Sequence, residues 1–456
     1  MTYFVQVHQA VLKLSSISTT AHRSKNSLTP AHHLPPEILI LIQTFRESEQ
    51  DLINATAVCA YWRRSLVSAP TLWNNILCSE NASLESITPR LHEYFERSGS
   101  VPVNVQISAH SSRLISPHTK RISRLTMFVD ATDLDEITEH LSKLAPLLEA
   151  ASILVKNNQM SSFELPSWFF ETFLSTVRNL TVCGTLPYPG LCSFSRLTRF
   201  TLRTCVNEDA CAILLGTLNQ MPLLQVFEAQ LLRADPVISY PENLVITLPY
   251  LEEITITMDD CWYPDATSPI LPALCLPHVR KIVMRSINAF GPHISPILPL
   301  SFKEHLPGFN VIPNASISLD KDVNTFHFTS SSQAKLTLCF HRPTGDIFAP
   351  SKFGGISFNS VRKLHISFLG TNLGRSYFTG LLLCMRGLEH LEMEQNTVRS
   401  LAYWAIDAEQ PKTCPALMAL TVIDNDFATA KKWAEVVKQV RRRAGVPIAS
   451  VEVRCN

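Results

Sequence analysis

Residues 34–45 read LPPEILILIQTF, and residues 58–73 read VCAYWRRSLVSAPTLW. The first stretch predicts a helix, because proline suits a first helical turn, the Glu37 carboxylate complements the helix dipole and apolar residues recur at helical spacing. A second helix is predicted from about Asp51, a suitable N-cap, with an apolar stripe that continues to Trp62. The two stretches therefore bound a small helical unit with apolar faces.

A proline and a second tryptophan mark the C-terminal end of this unit. Ala69-Pro70 stops a third helical segment, and Leu72-Trp73 is predicted to fold back as a plug. A unit of about 45 residues buries little surface alone and usually needs a partner or a neighbouring domain. A helix-turn-helix that reads DNA is an alternative, but it would need a basic recognition helix, and INATAVCAYW is apolar.

The order and spacing of these residues resemble an F-box. The pattern is L-P-x-E-I-L at 34–39, followed in turn by D-L, V-C-x-x-W and P-x-L-W. An F-box docks on a Skp-type adaptor and so joins a cullin-RING ubiquitin ligase, and the resemblance implies the same for this chain. Some apolar residues would hold the helices together, and others would cover the adaptor. The residues assigned to adaptor binding are Leu34, Pro35, Ile38, Leu39, Ile42, Leu52, Val58, Cys59, Trp62, Leu72 and Trp73.

Composition and charge argue against several functions. The 456 residues are 46% hydrophobic, and 40 basic residues nearly balance 39 acidic ones, so the net charge is +1. Without a strong field of one sign, the chain is not expected to bind nucleic acid or a membrane. The twelve cysteines form no Cys-x-x-Cys pair, which favours buried, reduced thiols over metal ligation and predicts a cytoplasmic or nuclear protein.

Four segments are expected along the chain. Residues 1–32 are expected to be a disordered leader, with a transit peptide as the alternative because this segment has basic but no acidic residues. The F-box covers residues 33–78. Residues 79–99 are expected to form a linker helix with one apolar face that ends at Gly99. The remaining residues, 100–456, carry a repeat.

One pattern, apolar-x-x-apolar-x-apolar, recurs through this last segment. It starts at Ile122, Leu148, Val177, Leu197, Leu224, Leu251, Val279, Val361, Leu388 and Leu417. From Leu197 onward the starts differ by 27, 27, 28, 82, 27 and 29 residues, and 82 is close to three periods. This period resembles a leucine-rich repeat, in which each unit supplies a strand and a returning segment. Residues 286–360 are rich in proline and serine, so we expect degenerate repeats with long loops there.

The expected fold class is α + α/β, a small three-helix F-box followed by a leucine-rich-repeat-like α/β solenoid. An amphipathic helix at 427–445 and a strand, ASVEV, would close the array. Residues beside the apolar positions of each strand are expected to face outward and contact a protein substrate. These substrate-binding residues are Arg199, Arg203, Lys281, Arg285, Lys363, His365, Glu392 and Glu394. Lys281, Arg285 and Lys363 would form a basic centre for an acidic or phosphorylated segment.

Motifs for catalysis are missing from the sequence. It contains no phosphate-binding loop, no nucleophile elbow and no His-Glu-x-x-His zinc motif. We therefore expect a non-catalytic chain without cofactors or metal. The resemblance to an F-box implies that the chain is the substrate-recognition subunit of an SCF-type ligase. An enzyme is one alternative, and an interaction scaffold that works outside ubiquitin ligation is another. Co-purification with a cullin would separate the scaffold from the ligase subunit.

Overall fold

The fold was determined as a computed structural model of the 456-residue chain. It describes residues 34–46, 48–78, 83–130, 137, 140, 145–155, 175–184, 194–205, 210–232, 245–259, 270–288, 302–320, 323–341, 358–369, 375–394 and 414–455. These residues fall into two compact units. The N-terminal unit takes in those up to Phe128 and those between 133 and Ala150, and the C-terminal unit takes in Val129, Asp130 and those from Ala151 onward. The expected leader, 1–32, lies outside the described residues.

The N-terminal unit begins with short helices. They are α1 (Pro36–Thr44), α2 (Glu49–Val58) and α3 (Ala60–Val67), followed by a 3-10 turn at Pro70–Trp73. Strand β1 (Asn75–Leu77) and helix α4 (Leu84–Arg97) come next. Helix α4 lies within the segment expected to be a linker helix, and Gly99 follows its end with a φ of 53°. Glycine adopts this left-handed conformation without steric cost, which suits it to end the helix.

The same unit continues past residue 100. It contains β2 (Val103–Ser108), the single-turn helix α5 (Ser112–Ile115) and β3 (Ile122–Val129). Strand β2 pairs in parallel with both β1 and β3. Arg121, just before β3, donates hydrogen bonds to the Phe95 carbonyl, the Ser98 hydroxyl and the Val101 carbonyl at 2.8–3.2 Å. These bonds tie the end of α4 to the strands, so β2 and β3 belong to the compact unit of the helices.

The C-terminal unit opens with strands that pair in chain order, in parallel from the second of them onward. They are β4 (Ala150–Val155), β5 (Asn179–Cys183), β6 (Arg199–Cys205), β7 (Val226–Leu232), β9 (Glu253–Asp259) and β11 (Lys281–Asn288). Helix α6 (Ala210–Asn219) lies in the chain between β6 and β7. The two-residue strands β8 (Ile246–Thr247) and β10 (Leu274–Cys275) pair in parallel with each other. Parallel neighbours require a returning segment between strands.

Strands β5, β6, β7 and β9 bury one face and leave the other at least partly exposed, whereas β11 buries Val283 as well as Ile282 and Met284. Phe200 and Leu202 on β6 are buried, and Ile254 and Ile256 occupy the same positions on β9. Thr201, which lies between the two β6 residues, is half-buried, and Arg203, which follows them, is exposed. Because successive side chains of a strand alternate, the apolar positions of the repeat supply the core and the intervening positions supply a polar face.

The stretch expected to hold degenerate repeats and long loops contains regular strands in its described part. They are β12 (Asn314–Asp320), β13 (Val323–Thr329) and β14 (Lys335–His341), preceded by the single-turn helix α7 (Phe302–His305). The sheet order is β11-β14-β13-β12 and then the next strand of the chain, and β13 is antiparallel to both neighbours. The chain therefore forms strands at 314–320, 323–329 and 335–341, within the stretch where degenerate repeats with long loops were expected. A tight turn with Gln333 at a φ of 67° joins β13 to β14.

The parallel order resumes at the C-terminal end. The elements are β15 (Lys363–Leu369), α8 (Arg375–Cys384), β16 (His390–Glu394), β17 (Ala419–Ile423), α9 (Phe427–Arg443) and β18 (Ser450–Arg454). Strand β15 pairs in parallel with β12 on one side and β16 on the other, and β17 and β18 follow in parallel. Among all described helices, none combines the length and the apolar character that crossing a membrane requires.

Candidate protein-docking surfaces

Helix α1 presents most of its apolar side chains to solvent. Leu39 is buried and is the apolar residue through which this helix packs inward. The exposed residues recur at intervals of three and four, so they share one helix face. This face, called the α1 face below, consists of Ile38, Leu41, Ile42 and Phe45.

The α1 face exposes a large part of its apolar side chains. Phe45 is 79% exposed and Leu41 is 52% exposed. With about 200 Å² per phenylalanine side chain, roughly 160 Å² of Phe45 faces water. A contiguous apolar stripe of this kind on a soluble protein indicates an interaction site.

Helices α2 and α3 are separate, although the apolar spacing predicted a single stripe that runs through both. Asp51 was expected to be the N-cap of α2, but Ser48 is the N-cap, and Asp51 completes a capping box with it. The single apolar stripe expected to run to Trp62 is interrupted at Cys59, whose backbone is extended. The Cys59 sulfur accepts a hydrogen bond from the Trp62 N–H at 3.4 Å and so caps α3.

The C-terminal plug is held by hydrogen bonds as well as by burial. Trp73 is 1% exposed, and its indole N–H donates to the Leu66 carbonyl at 2.9 Å. The Arg46 guanidinium donates to the Leu72 carbonyl at 2.9 Å. Burial lowers the pKa of Arg46 from its ordinary value, with the nearby Tyr94 and Asp51 opposing that shift. The plug thus closes the core beneath α1 and α3.

Helix α4 packs on this plug. The Tyr94 ring meets the Trp73 ring edge-on with 5.1 Å between centroids, and the Arg97 guanidinium lies over the Trp73 ring at 4.2 Å. Arg90 forms an ion pair with Glu49 of α2, and the Tyr94 hydroxyl donates to the same carboxylate. Burial raises the pKa of Tyr94, so its hydroxyl stays protonated at neutral pH. These contacts fix α4 against the three short helices.

The residues predicted to bind an adaptor separate into surface and core groups. Four of them are buried and hold the unit together, namely Leu39, Leu52, Leu72 and Trp73. Cys59, Trp62 and Leu34 are half-buried, and the Leu34 carbonyl accepts a hydrogen bond from the Tyr61 hydroxyl at 2.7 Å. The exposed ones are Pro35, Ile38, Ile42 and Val58.

Within the segment predicted to be the F-box, the predicted adaptor-binding residues leave out four exposed large apolar residues. They are Leu41, Phe45, Ile53 and Leu77. For the first two the signal was present, since both continue the spacing of Ile38 and Ile42 on one helix face. The structure buries Leu39 and Gln43 on the opposite side of α1.

Residues 31–79 match the model of the F-box-like family. The chain therefore carries an F-box-like domain, and the resemblance inferred from the sequence motif is confirmed for this segment. The match takes in α1, α2, α3 and the plug, and it ends before α4. No curated protein matches the chain. F-box domains in general bind Skp-type adaptors of cullin-RING ligases and belong to non-catalytic substrate receptors.

The polar face of the C-terminal sheet carries the residues predicted to bind a substrate. Arg199, Arg203, Lys281, Arg285 and Lys363 are exposed, and His365, Glu392 and Glu394 are half-buried. Several of them are already paired across neighbouring strands. The pairs are Arg199 with Glu228 at 3.3 Å, Lys281 with Glu253 at 3.0 Å and His365 with Glu394 at 3.2 Å.

The expected basic centre of Lys281, Arg285 and Lys363 is not one cluster. Strands β14, β13 and β12 lie between β11, which carries the first two residues, and β15, which carries the third. Lys281 and Lys363 stand in one row across these strands, so four strand spacings of about 4.8 Å place their Cα atoms roughly 19 Å apart. The inserted strands could not be anticipated from the repeat period, and they separate the two halves of the predicted site.

A cleft of about 390 Å³ lies on this face between β13 and β16. Its lining comprises Asn314, Ala315, Ser316, His327, Thr329, Lys363, Leu364, His365, His390 and Glu392. The imidazoles are held by neighbouring side chains: His365 contacts Ser316 at 3.2 Å, His327 contacts Thr337 at 2.9 Å, and His390 contacts Thr421 at 3.2 Å. In the described part of the chain, no three histidines, cysteines or acids gather as a metal site would require.

Proposed function

We propose that the chain is a substrate-recognition subunit of an SCF-type cullin-RING ubiquitin ligase. In this proposal the α1 face docks on a Skp-type adaptor, and the C-terminal unit binds a protein substrate. The chain itself would be non-catalytic and would act in the cytoplasm or nucleus. The observation that carries the proposal is the exposed apolar face of α1 inside the segment that matches the F-box-like family.

We also propose that the C-terminal unit is a leucine-rich-repeat-like solenoid. The period of 27 to 29 residues supports this, as does the parallel pairing of β5, β6, β7, β9 and β11 in chain order. The antiparallel strand β13 departs from that pattern. Repeat proteins carry such departures as insertions, often at the surface they use for binding.

The proposed function is tested by immunoprecipitation of the tagged full chain from cells with inhibited proteasomes. We expect a Skp-type adaptor and a cullin to be recovered with the wild-type chain. Replacing Ile42 and Phe45 by glutamate should remove both, because charges would be buried on an apolar interface. Neither side chain supports the core, so the variant should remain folded.

A matched control replaces Leu223 and Tyr250 of the C-terminal unit by glutamate. Both are exposed to a similar degree as Ile42, and their loss should leave adaptor and cullin recovery unchanged. Recovery of substrate-like proteins without any cullin would favour an interaction scaffold outside ubiquitin ligation. Equal recovery of the cullin by the Ile42/Phe45 variant and by wild type would refute the docking assignment.

A further inference from the structure

The inserted strands form part of a cleft whose bottom is lined by small polar side chains. On β12 the outward residues Asn314 and Ser316 are small, while their neighbours β13 and β15 present His327 and His365. The opposite side of the same strands is apolar, with residues such as Ile317 buried. The floor is therefore held rigidly by the core, and the polar groups above it face solvent.

Two lysines without ion pairs flank this floor. In the described residues, neither Lys335 on β14 nor Lys363 on β15 has an acidic side chain within ion-pair distance, whereas Lys281 next to Lys335 is neutralised by Glu253. The pairing register puts Lys335, Thr329, Asn314 and Lys363 in one row. Three strand spacings separate the two lysines, about 14 Å.

An acidic group marks the far side of the cleft. Glu392 on β16 lines it, one strand beyond β15 and two residues further along than Lys363. The strand spacing and the rise per residue place these two Cα atoms about 8 Å apart. The other acidic residue on β16, Glu394, already contacts the His365 imidazole. Along this face the charge thus changes from positive, at Lys335 beside the cleft and at Lys363 within it, to negative at Glu392.

We propose that this cleft, together with Lys335 on the adjoining strand β14, binds an extended segment of the protein substrate with anionic side chains over Lys335 and Lys363 and a basic side chain over Glu392. The inference rests on the proposed function as a substrate receptor. An extended chain advances about 3.4 Å per residue, so 14 Å corresponds to anions about four residues apart. The basic residue would follow the anion at Lys363 by about two to three residues, because the distance to Glu392 is about 8 Å.

The histidines of the cleft serve as hydrogen-bonding groups in this arrangement. Burial lowers the pKa of His327, which keeps its ring neutral at pH 7. Its Nδ1 contacts the Thr337 hydroxyl, so Nε2 is the ring atom left for a ligand. Charge recognition is assigned to the two lysines and Glu392, and the His327 imidazole adds a directional contact to the backbone or a side chain of the segment.

Synthetic peptide libraries test the proposal on the purified full chain. Three libraries carry fixed glutamate, phosphoserine or glutamine at two positions four residues apart, with all other positions random. We expect the chain to retain the glutamate or the phosphoserine library above the glutamine library, and the comparison of the first two identifies carboxylate or phosphate as the anion. Retained peptides should be enriched in Lys or Arg beyond one anion, and retention should weaken as salt is added.

Charge reversal locates the site. Lys335→Glu combined with Lys363→Glu should weaken the best retained peptide by about tenfold or more, and Glu392→Lys should remove the enrichment in basic residues. A control with the same change in net charge, Arg196→Glu with Lys432→Glu, alters exposed cations outside the cleft and should change neither result.

Retention of all three libraries alike, or a charge preference that survives the lysine reversals, would overturn the assignment. Adaptor binding is measured on the same variants and should be unaffected in all of them. If the wild-type chain does not bind the adaptor, that result counts against the proposed function. The peptide result concerns only the cleft and does not depend on adaptor binding.

Discussion

Replacing Trp73 by leucine is expected to weaken the packing of α4 on the plug and on helices α1 to α3 by about 2–4 kcal/mol. The tryptophan is 1% exposed, so the smaller side chain leaves part of its site empty. The lost indole N–H bond to the Leu66 carbonyl contributes about 1 kcal/mol of this, because that carbonyl still accepts from the Ala69 N–H at 3.3 Å.

The stacking of Arg97 on Trp73 can be measured separately. The guanidinium lies 4.2 Å from the ring centroid, and the arginine side chain is 26% exposed, so the cation–π interaction should contribute about 1 kcal/mol. A double-mutant cycle of Trp73→Leu and Arg97→Met isolates this coupling. Glu93→Gln serves as the control, since it removes only the ion pair that Arg97 makes along its own helix.

Hydrogen exchange followed by mass spectrometry on the full chain provides the assay. The local unfolding free energy is read from peptides that cover residues 70–98. We expect Trp73→Leu to lower it for both the plug and α4, and we expect the double mutant to lose less than the sum of the single changes by about 1 kcal/mol. Unchanged protection of α4 in Trp73→Leu would refute the reasoning, because it would show that α4 does not depend on the plug.

Burial raises the pKa of Cys414 to about 12, so native-state alkylation at neutral pH should modify the exposed Cys455 and spare Cys414; equal modification of both thiols would contradict this environment. Gly387→Ala should lower the free energy of unfolding by about 1–3 kcal/mol, since the added methyl would collide with the Asn359 carbonyl. An unchanged melting temperature would show that residue 387 does not lie this close to the Asn359 carbonyl. A chain that ends at Ser360 lacks β15 and leaves β12 with an unpaired edge, so it should aggregate. A soluble, cooperatively melting fragment would argue instead for separate domains.

The sequence predicted the helical unit well but not which of its residues form the surface. Helix α1 was recognisable because proline, an acid and helical spacing all favoured it. That spacing does not say which side of a short helix is buried, and Phe45 and Leu41 were missed for this reason. Cys59 was assigned to an apolar stripe, because an apolar thiol that caps a helix through its sulfur has no sequence signature.

The repeat period predicted positions on the polar face but not their neighbours. The outward placement of Arg199, Arg203 and Arg285 follows from strand alternation alone. Whether Lys281 lies beside Lys363 depends on which strands pair, and that is a long-range property. The alternation in VNTFHFT and KLTLCFH was a sequence signal for two further strands, but their pairing order was not encoded in the period.

The docking of the α1 face on a Skp-type adaptor is tested most directly by calorimetric titration of the purified full chain with the adaptor. Removal of about 160 Å² of apolar surface from water at about 25 cal/mol per Å² sets an upper limit near 4 kcal/mol for Phe45. We therefore expect Phe45→Ala to raise the Kd by roughly 30-fold to 1,000-fold, equivalent to about 2–4 kcal/mol. Tyr250→Ala in the C-terminal unit should leave the Kd unchanged. No binding by the wild-type chain, or the same Kd for Phe45→Ala and wild type, would contradict the account.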